Sequence, residues 1–354
     1  MKGRFNVEVD FWRKVTRDLL YNVPLPKETG FRTVRQNIGS IQNEGVDITL
    51  GGVVYSNKNF EWNSNFNITL LRNKVLELAQ GTRFETGAFL IEEGQPLGNI
   101  YGYKNLGVFP YNESNAFTDD GKQLTPVFDD GGKFSKYTLN GVDYTGKVNQ
   151  LRVGSTVLRG GDIYWADLNN DFTIDGQNDR TIIGNGTSKY FGGFNNDFKY
   201  KGISLSILVD YNFGNNIYRQ YDWLRNDLNS ANETPSPDRI DQSWRKQGDI
   251  APFATLDRAR TNNALGPNSQ YISKGDYIRW RSMRLNYNLP QSLYKKMKWV
   301  SNVSLNFSVN NLFTLTNYPG YNPDLGSSNP LQTGYDTLRY PNRRDFIMGL
   351  RFQL

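Results

Sequence analysis

The chain is 354 residues long, enough for one large all-β unit or two ordinary domains, and carries a net charge of +6. It contains no cysteine and no histidine, which excludes disulfides, thiolate metal sites, thiol nucleophiles and imidazole bases. Only 37% of residues are hydrophobic, 14% are aromatic and the mean hydropathy is −0.63; the basic residues are scattered among acids, as on a solvated surface beside anionic headgroups and not in a nucleic-acid groove.

No run of roughly 18 uninterrupted apolar residues occurs, so no transmembrane helix is expected. A membrane strand escapes that test because its lipid face alternates with a polar one. The first alternating segment, "RFNVEVDF", sets Phe5, Val7, Val9 and Phe11 against Asn6, Glu8 and Asp10. It lies in an N-terminal stretch lacking the apolar region of a signal peptide, which predicts a sequence that begins partway through a longer protein. "GVDITLGG" aligns Val46, Ile48 and Leu50, and "FEWNSNFNITL" aligns Phe60, Trp62, Phe66, Ile68 and Leu70. "YFGGFNNDFKY" offers Phe194, Phe198 and Tyr200. "ISLSILVDYNF" sets Ile203, Leu205, Ile207, Val209, Tyr211 and Phe213 against Ser204, Ser206, Asp210 and Asn212. In "DYIRWRSMRLNYNL" the oily parity changes between Ile278 and Trp280 on one side and Met283, Leu285 and Tyr287 on the other. That change predicts a β-bulge at Arg281–Ser282. "VSNVSLNFSVNNLF" alternates Val303, Leu305, Phe307 and Val309 with small polar residues, and "FIMGLRFQL" ends the chain with Phe346, Met348, Leu350, Phe352 and Leu354.

Strands of about 9–11 residues suit a tilted membrane crossing, whereas soluble strands peak near five or six. Short links at "SNK", "KYKG" and "PQSLYKKMKWVSN" alternate with long excursions at 14–42, 71–189, 215–270 and 314–343, as in outer-membrane barrels. "GNIYGYKNLGVF" and "GDIYWADL" fall in the longest, Asp/Gly-rich excursion and are placed outside the wall. The expected fold is all-β: about eight to ten antiparallel strands of a transmembrane barrel, with long loops at one rim, across the whole chain.

Within that excursion, "DLNNDFTIDGQND" puts Asp167, Asn169, Asp171, the Thr173 carbonyl and Asp175 at alternate positions of an EF-hand-like loop, with Asp179 at its end. Hard Ca²⁺ needs several oxygens converging from a tight turn, so a weak calcium site is expected there. Phe172 stands where glycine usually makes the turn. The carboxylate neighbours Glu92–Glu93 and Asp129–Asp130 point oppositely on an extended chain, so neither forms an acid/base dyad and no enzyme is expected.

Several phrases resemble, in order, the C-terminal half of SusC/RagA-type TonB-linked outer-membrane transporters of Bacteroidetes. They are "DLLYNVPLPKETGF", "QNIGSIQNEGVDITL", "NFEWNSNFNITLLRNKVLEL", "EGQPLGNIYGYKNLGVF", "DLNNDFTIDGQNDRTIIGNG", "FGGFNNDFKYKGISLS", "GDYIRWRSMRLNYNLP", "NNLFTLTNYPGYNPD" and "YPNRRDFIMGLRF". The resemblance implies a share of a 22-strand barrel with a separate plug, a SusD-like surface lipoprotein as lid, the TonB complex as energy source, and import of glycans or peptides. Plug and first barrel half are absent from these residues, so a curved open sheet or a smaller non-native closure, with no transport by itself, is expected. Family members often end in an aromatic residue, whereas here Phe352 is third from the end. For such an importer, Tyr318, Tyr321 and Asp324 in "NYPGYNPD" are candidate ligand contacts. Trp223, Arg225, Asp227, Asp238, Arg239, Asp241 and Trp244 are candidates for ligand or lid contact, with a short helical rhythm near 238–246.

Two rivals remain at this level: a soluble carbohydrate-binding β-sandwich and a carboxylate-dependent glycosidase. The direction of Leu205, Ile207, Val209, Leu305 and Phe307 discriminates, because a sandwich must seal them between layers.

Overall fold

The computed structural model describes residues 4–354 apart from 25–27, 29, 32, 38, 79–80, 227–233, 258, 261–263, 298, 326–328 and 330. Eight strands form one antiparallel sheet: β1 (Phe5–Thr16), β2 (Gly39–Ser56), β3 (Phe60–Leu78), β4 (Tyr190–Tyr200), β5 (Ile203–Phe213), β6 (Tyr277–Asn288), β7 (Asn302–Thr316) and β8 (Asp345–Gln353). Their order across the sheet is their order in the chain, so each strand pairs with its sequence neighbour. Among the described residues β1 and β8 stand at the two edges of the sheet and do not pair.

Register shows which residues share a face. One row crosses the sheet as Val7, Leu50, Phe66, Phe194, Val209, Trp280 and Phe313. The adjacent row, on the opposite face, runs Asn6, Gly51, Asn65, Asn195, Leu208, Ser282, Asn310 and Asp345. Among the described residues no second sheet stacks on the apolar face: Phe11 and Met348 are 80% and 81% exposed. Leu205, Ile207, Val209, Leu305 and Phe307 all lie on that face, and none of them is in the buried core. That overturns the sandwich. A face this oily and this bare is stable only against lipid.

The bulge falls where the alternation changes. Arg281 is the extra residue of β6 against β5, and the pairing with β7 also shifts between Trp280 and Ser282. Opposite it, Asn311 sits in the left-handed region at φ 52°, which Asn tolerates better than most residues, and its amide donates to the Arg343 carbonyl at 3.1 Å. Deleting Arg281 would leave Trp280 and Met283 two residues apart, so one unbroken alternation would keep Ile278 and Trp280 on the oily face without the bulge. The expected result is a heat-modifiable folded band that persists on unheated SDS gels; loss of the band would disprove this register argument.

One expectation needs correction. The strands run 9–19 residues, not 9–11, because β2 and β3 continue beyond the apolar run. There Val75 and Leu78 leave the wall and join a buried core with Phe89, Ile100, Tyr218 and Leu331. Also, Asn196 interrupts the oily face of β4, beside Ser64; the Trp62 indole N–H donates to its carbonyl at 2.9 Å, which lowers the cost of a polar group there. The strand-like phrases at 98–109 and 161–168 form small sheets of their own within the long excursion, outside the wall. A second loop core gathers Phe109, Phe117, Leu158, Ile163 and Trp165. The two largest cores thus sit in the long loops and not behind the sheet.

Candidate functional site

The polar face of the sheet carries charges that close on each other and on the loop above. Bulged Arg281 donates to Asp210 of β5 at 2.7 Å and approaches Asp324 at 3.7 Å. Arg279 is only 1% exposed and donates to Asp324 at 2.9 Å, Asn322 at 3.0 Å and the Thr314 hydroxyl at 3.2 Å, with its guanidinium 4.8 Å from the Tyr277 ring centre. A buried guanidinium is tolerated because most of its donors are filled. The network pins residues 322–324 to the wall. A cavity of about 460 Å³ lies beside it, lined by Phe191, Asp210, Tyr277 and Asp324 among others. A second space of about 900 Å³ runs over Gly45, with Trp12, Asn73, Pro96 and Asn185 around it. Both volumes lie in the range of small-ligand sites.

The sequence candidates scatter. Tyr318 is buried and its hydroxyl donates to Asp336, while burial and that carboxylate push the phenol above its ordinary range. Asp324 serves the arginines. Tyr321 alone of this trio is open, at 73% exposure. Helix α1 (Gln220–Asn226) holds Trp223, half-buried against the first loop core, its indole N–H without a partner among the described residues. Arg225 donates to the Thr234 carbonyl at 3.1 Å. Helix α2 spans only Pro237–Asp241, capped by the Ser236 hydroxyl, which accepts from the Arg239 amide. Trp244 is buried over Gly161, its indole donating to the Pro110 carbonyl at 3.1 Å. Gly161 has φ 86°, and a Cβ there would meet the Trp244 ring at 2.4 Å. Arg239 is likewise spent inside, on the Ala254 and Thr255 carbonyls at 2.6 and 3.0 Å. Asp238 and Asp241 stay exposed, and Asp227 lies outside the described residues. Of the trio at 318–324 and the candidates at 223–244, then, Trp244, Tyr318 and Arg239 are buried and bonded within the loops. Arg279, Arg281 and Asp210 line the polar face of the wall instead, with Asn322 reaching them from the loop, and the sequence signal for the three wall residues was the charged, wet side of an alternating strand.

The Asp/Asn turn folds as a ladder of carboxylate-to-backbone bonds. Asp167 accepts from the Asn170 and Phe172 amides at 2.8 and 2.7 Å, and Asp171 from the Thr173 amide at 2.7 Å. Asp175 accepts from the Gln177 and Asn178 amides, which hold its carboxyl below the usual range. Asp179 accepts from the Leu168 and Asp175 amides, yet burial raises its carboxyl. Asn170 and Phe172 take the left-handed conformation at φ 58° and 61°, so the turn forms without glycine. Among the described residues no three acidic side chains converge as a cation-holding group.

An outward apolar belt, a polar wall and pinned rim loops define a transmembrane β-barrel wall. The comparisons agree. TonB-dependent receptor P39 of Formosa agariphila is 50% identical over 353 residues, covering 99% of this chain and 34% of the receptor. TonB-dependent receptor SusC of Bacteroides thetaiotaomicron is 22% identical across the whole chain, over 30% of its own length. The RagAB peptide transporter superposes with a TM-score of 0.67 at 21% identity, covering 99% of this chain and 33% of that one. RagAB in its "closed-closed" state gives 0.62. No family model matches. The chain is SusC/RagA-like throughout and spans about a third of the length of the curated TonB-dependent receptors it matches. The relatives it matches bear the names of TonB-dependent receptors, and the structures it matches that of a peptide importer.

Proposed function

We propose that the chain forms part of the wall of a bacterial outer-membrane importer, acting in TonB-dependent uptake of oligosaccharides or peptides beneath a SusD-like surface lipoprotein. The two-faced sheet is the observation that carries this reading: one face suits lipid and the other a watery lumen. The named relatives support the receptor class. Transport by these residues alone is not expected, since eight strands leave two edges whose backbone groups need partners in lipid; plug, energy coupling and the remaining wall are assigned to further sequence.

These 354 residues contain no cysteine, so a single one can be introduced among them in a full receptor cleared of any other cysteine. In intact cells expressing the full receptor, Asn65→Cys is expected to react with a lumen-entering, water-soluble maleimide, and Met348→Cys only after detergent solubilisation. Rapid labelling of Met348→Cys in membranes would sink the proposal.

For the Asp167–Asp179 turn we propose a lock made by backbone amides and not a calcium site. Melting temperature is expected to be the same in EDTA and in millimolar calcium, the range where weak extracellular sites fill. A rise of several degrees with calcium would restore the metal reading.

A further inference from the structure

The link between β6 and β7 behaves unlike the other two short turns. It is 13 residues long (289–301), whereas 57–59 and 201–202 suffice elsewhere. It is also folded, with amide-to-carbonyl bonds from Leu293 to Pro290, Tyr294 to Gln291, Met297 to Tyr294 and Val300 to Met297, each 2.8–3.2 Å. Tyr294 and Val300 close a small buried core with Leu289 and Val303. Val303 belongs to the lipid side, since it pairs with Phe352 in the alternation that holds Leu305 and Phe307. Leu289 continues the outward parity of Leu285 and Tyr287. The link is therefore folded over the outward face of the wall and not into the lumen.

On the surface so placed, Leu293 is 66% exposed and Trp299 65%, with Met297 also open, and Lys295 and Lys296 exposed between them. We propose that this link is a membrane-interface foot: Leu293, Met297 and Trp299 enter the lipid at the short-turn end, and Lys295 and Lys296 hold the phosphates of anionic phospholipid headgroups. Three observations commit it to lipid. The patch is continuous with the lipid-facing belt through Val303 and Phe352. An indole beside lysines is the composition that sits at a bilayer interface. And the charge is complementary to an anionic leaflet, which attracts each nearby lysine severalfold. At the end of the same sheet, Lys201 lies 5.3 Å from the ring of outward Tyr200, a second lysine–aromatic pair.

The inference rests on the membrane-wall reading, so its test carries a control for that reading. The full receptor, purified and reconstituted in vesicles of phosphatidylglycerol and phosphatidylcholine, is labelled with an environment-sensitive NBD probe at Leu293→Cys, at Trp299→Cys and, separately, at Met348→Cys. Both foot probes are expected to be quenched by lipid carrying a shallow spin label and shielded from aqueous iodide. Spin-labelled phosphatidylglycerol is expected to quench them about fivefold more effectively than spin-labelled phosphatidylcholine, a preference that Lys295→Glu/Lys296→Glu reduces to near parity. Iodide-accessible foot probes alongside a lipid-quenched Met348 probe would overturn the foot alone. A Met348 probe that lipid does not quench would overturn the membrane wall and the foot with it. A phosphatidylglycerol preference that survives the double charge reversal would remove the lysines from the proposal.

Discussion

Phe307→Arg is expected to abolish folded protein in the outer membrane, whereas Asn306→Arg, one residue away, is expected to leave it intact. Phe307 sits mid-strand on the oily face, between Leu285 and Met348. A guanidinium there must lie in hydrocarbon or drag water to it, at a cost of about 2–4 kcal/mol near the bilayer centre. Asn306 faces the other way, exposed beside Gly349, where a Cβ would meet nothing within 4 Å. An arginine there enters water. The measurement is the heat-modifiable band and urea unfolding in vesicles, and equal behaviour of the two variants would refute the assignment of faces.

Arg279→Ala is expected to release the 317–325 loop while sparing the barrel. The substitution removes the guanidinium donors from Asp324 and Asn322, leaving Asp324 only the Arg281 guanidinium at 3.7 Å and Asn322 the Asp324 amide, and opens a void beside Tyr277. Breaking a buried ion pair from one side costs about 3–5 kcal/mol; with Asp324 about a third exposed, water recovers part of this, leaving roughly 2–3 kcal/mol. The loss falls on docking of the loop, since strand pairing on either side of Arg279 is backbone-made. Protease cleavage within 317–325 is expected to rise at least tenfold and ligand uptake to fall, with the folded band unchanged. Unaltered cleavage would show that the network does not hold the loop. Lys in place of Arg279 is expected to rescue only in part, because an ammonium cannot span three acceptors in the guanidinium plane.

The same contrast explains what could be read from sequence. The wall was legible strand by strand because lipid imposes period two and leaves no other layer to hide an oily face: Val303, Leu305 and Phe307 announce their side. Even the Arg281 bulge was visible as a parity change. Loop residues gave no such signal. Tyr318 and Trp244 look like ligand-stacking aromatics when read locally, yet each is buried and bonded through its polar tip to a distant residue, Asp336 or Pro110. Aromatic composition cannot distinguish a ring waiting for a ligand from one that closes a loop core.

The alternation by itself limited the wall to about eight to ten strands and determined their faces and which ends carry the loops, since those follow from local geometry meeting a two-phase environment. Only the tertiary structure decided that Arg279 and Asp324 meet across 45 residues, that the loop cores consume the conspicuous tryptophan and tyrosine, and that the β6–β7 link folds outward. These are contacts between segments whose separation in the chain carries no periodic signature, so they are fixed by packing and charge pairing after the sheet has formed.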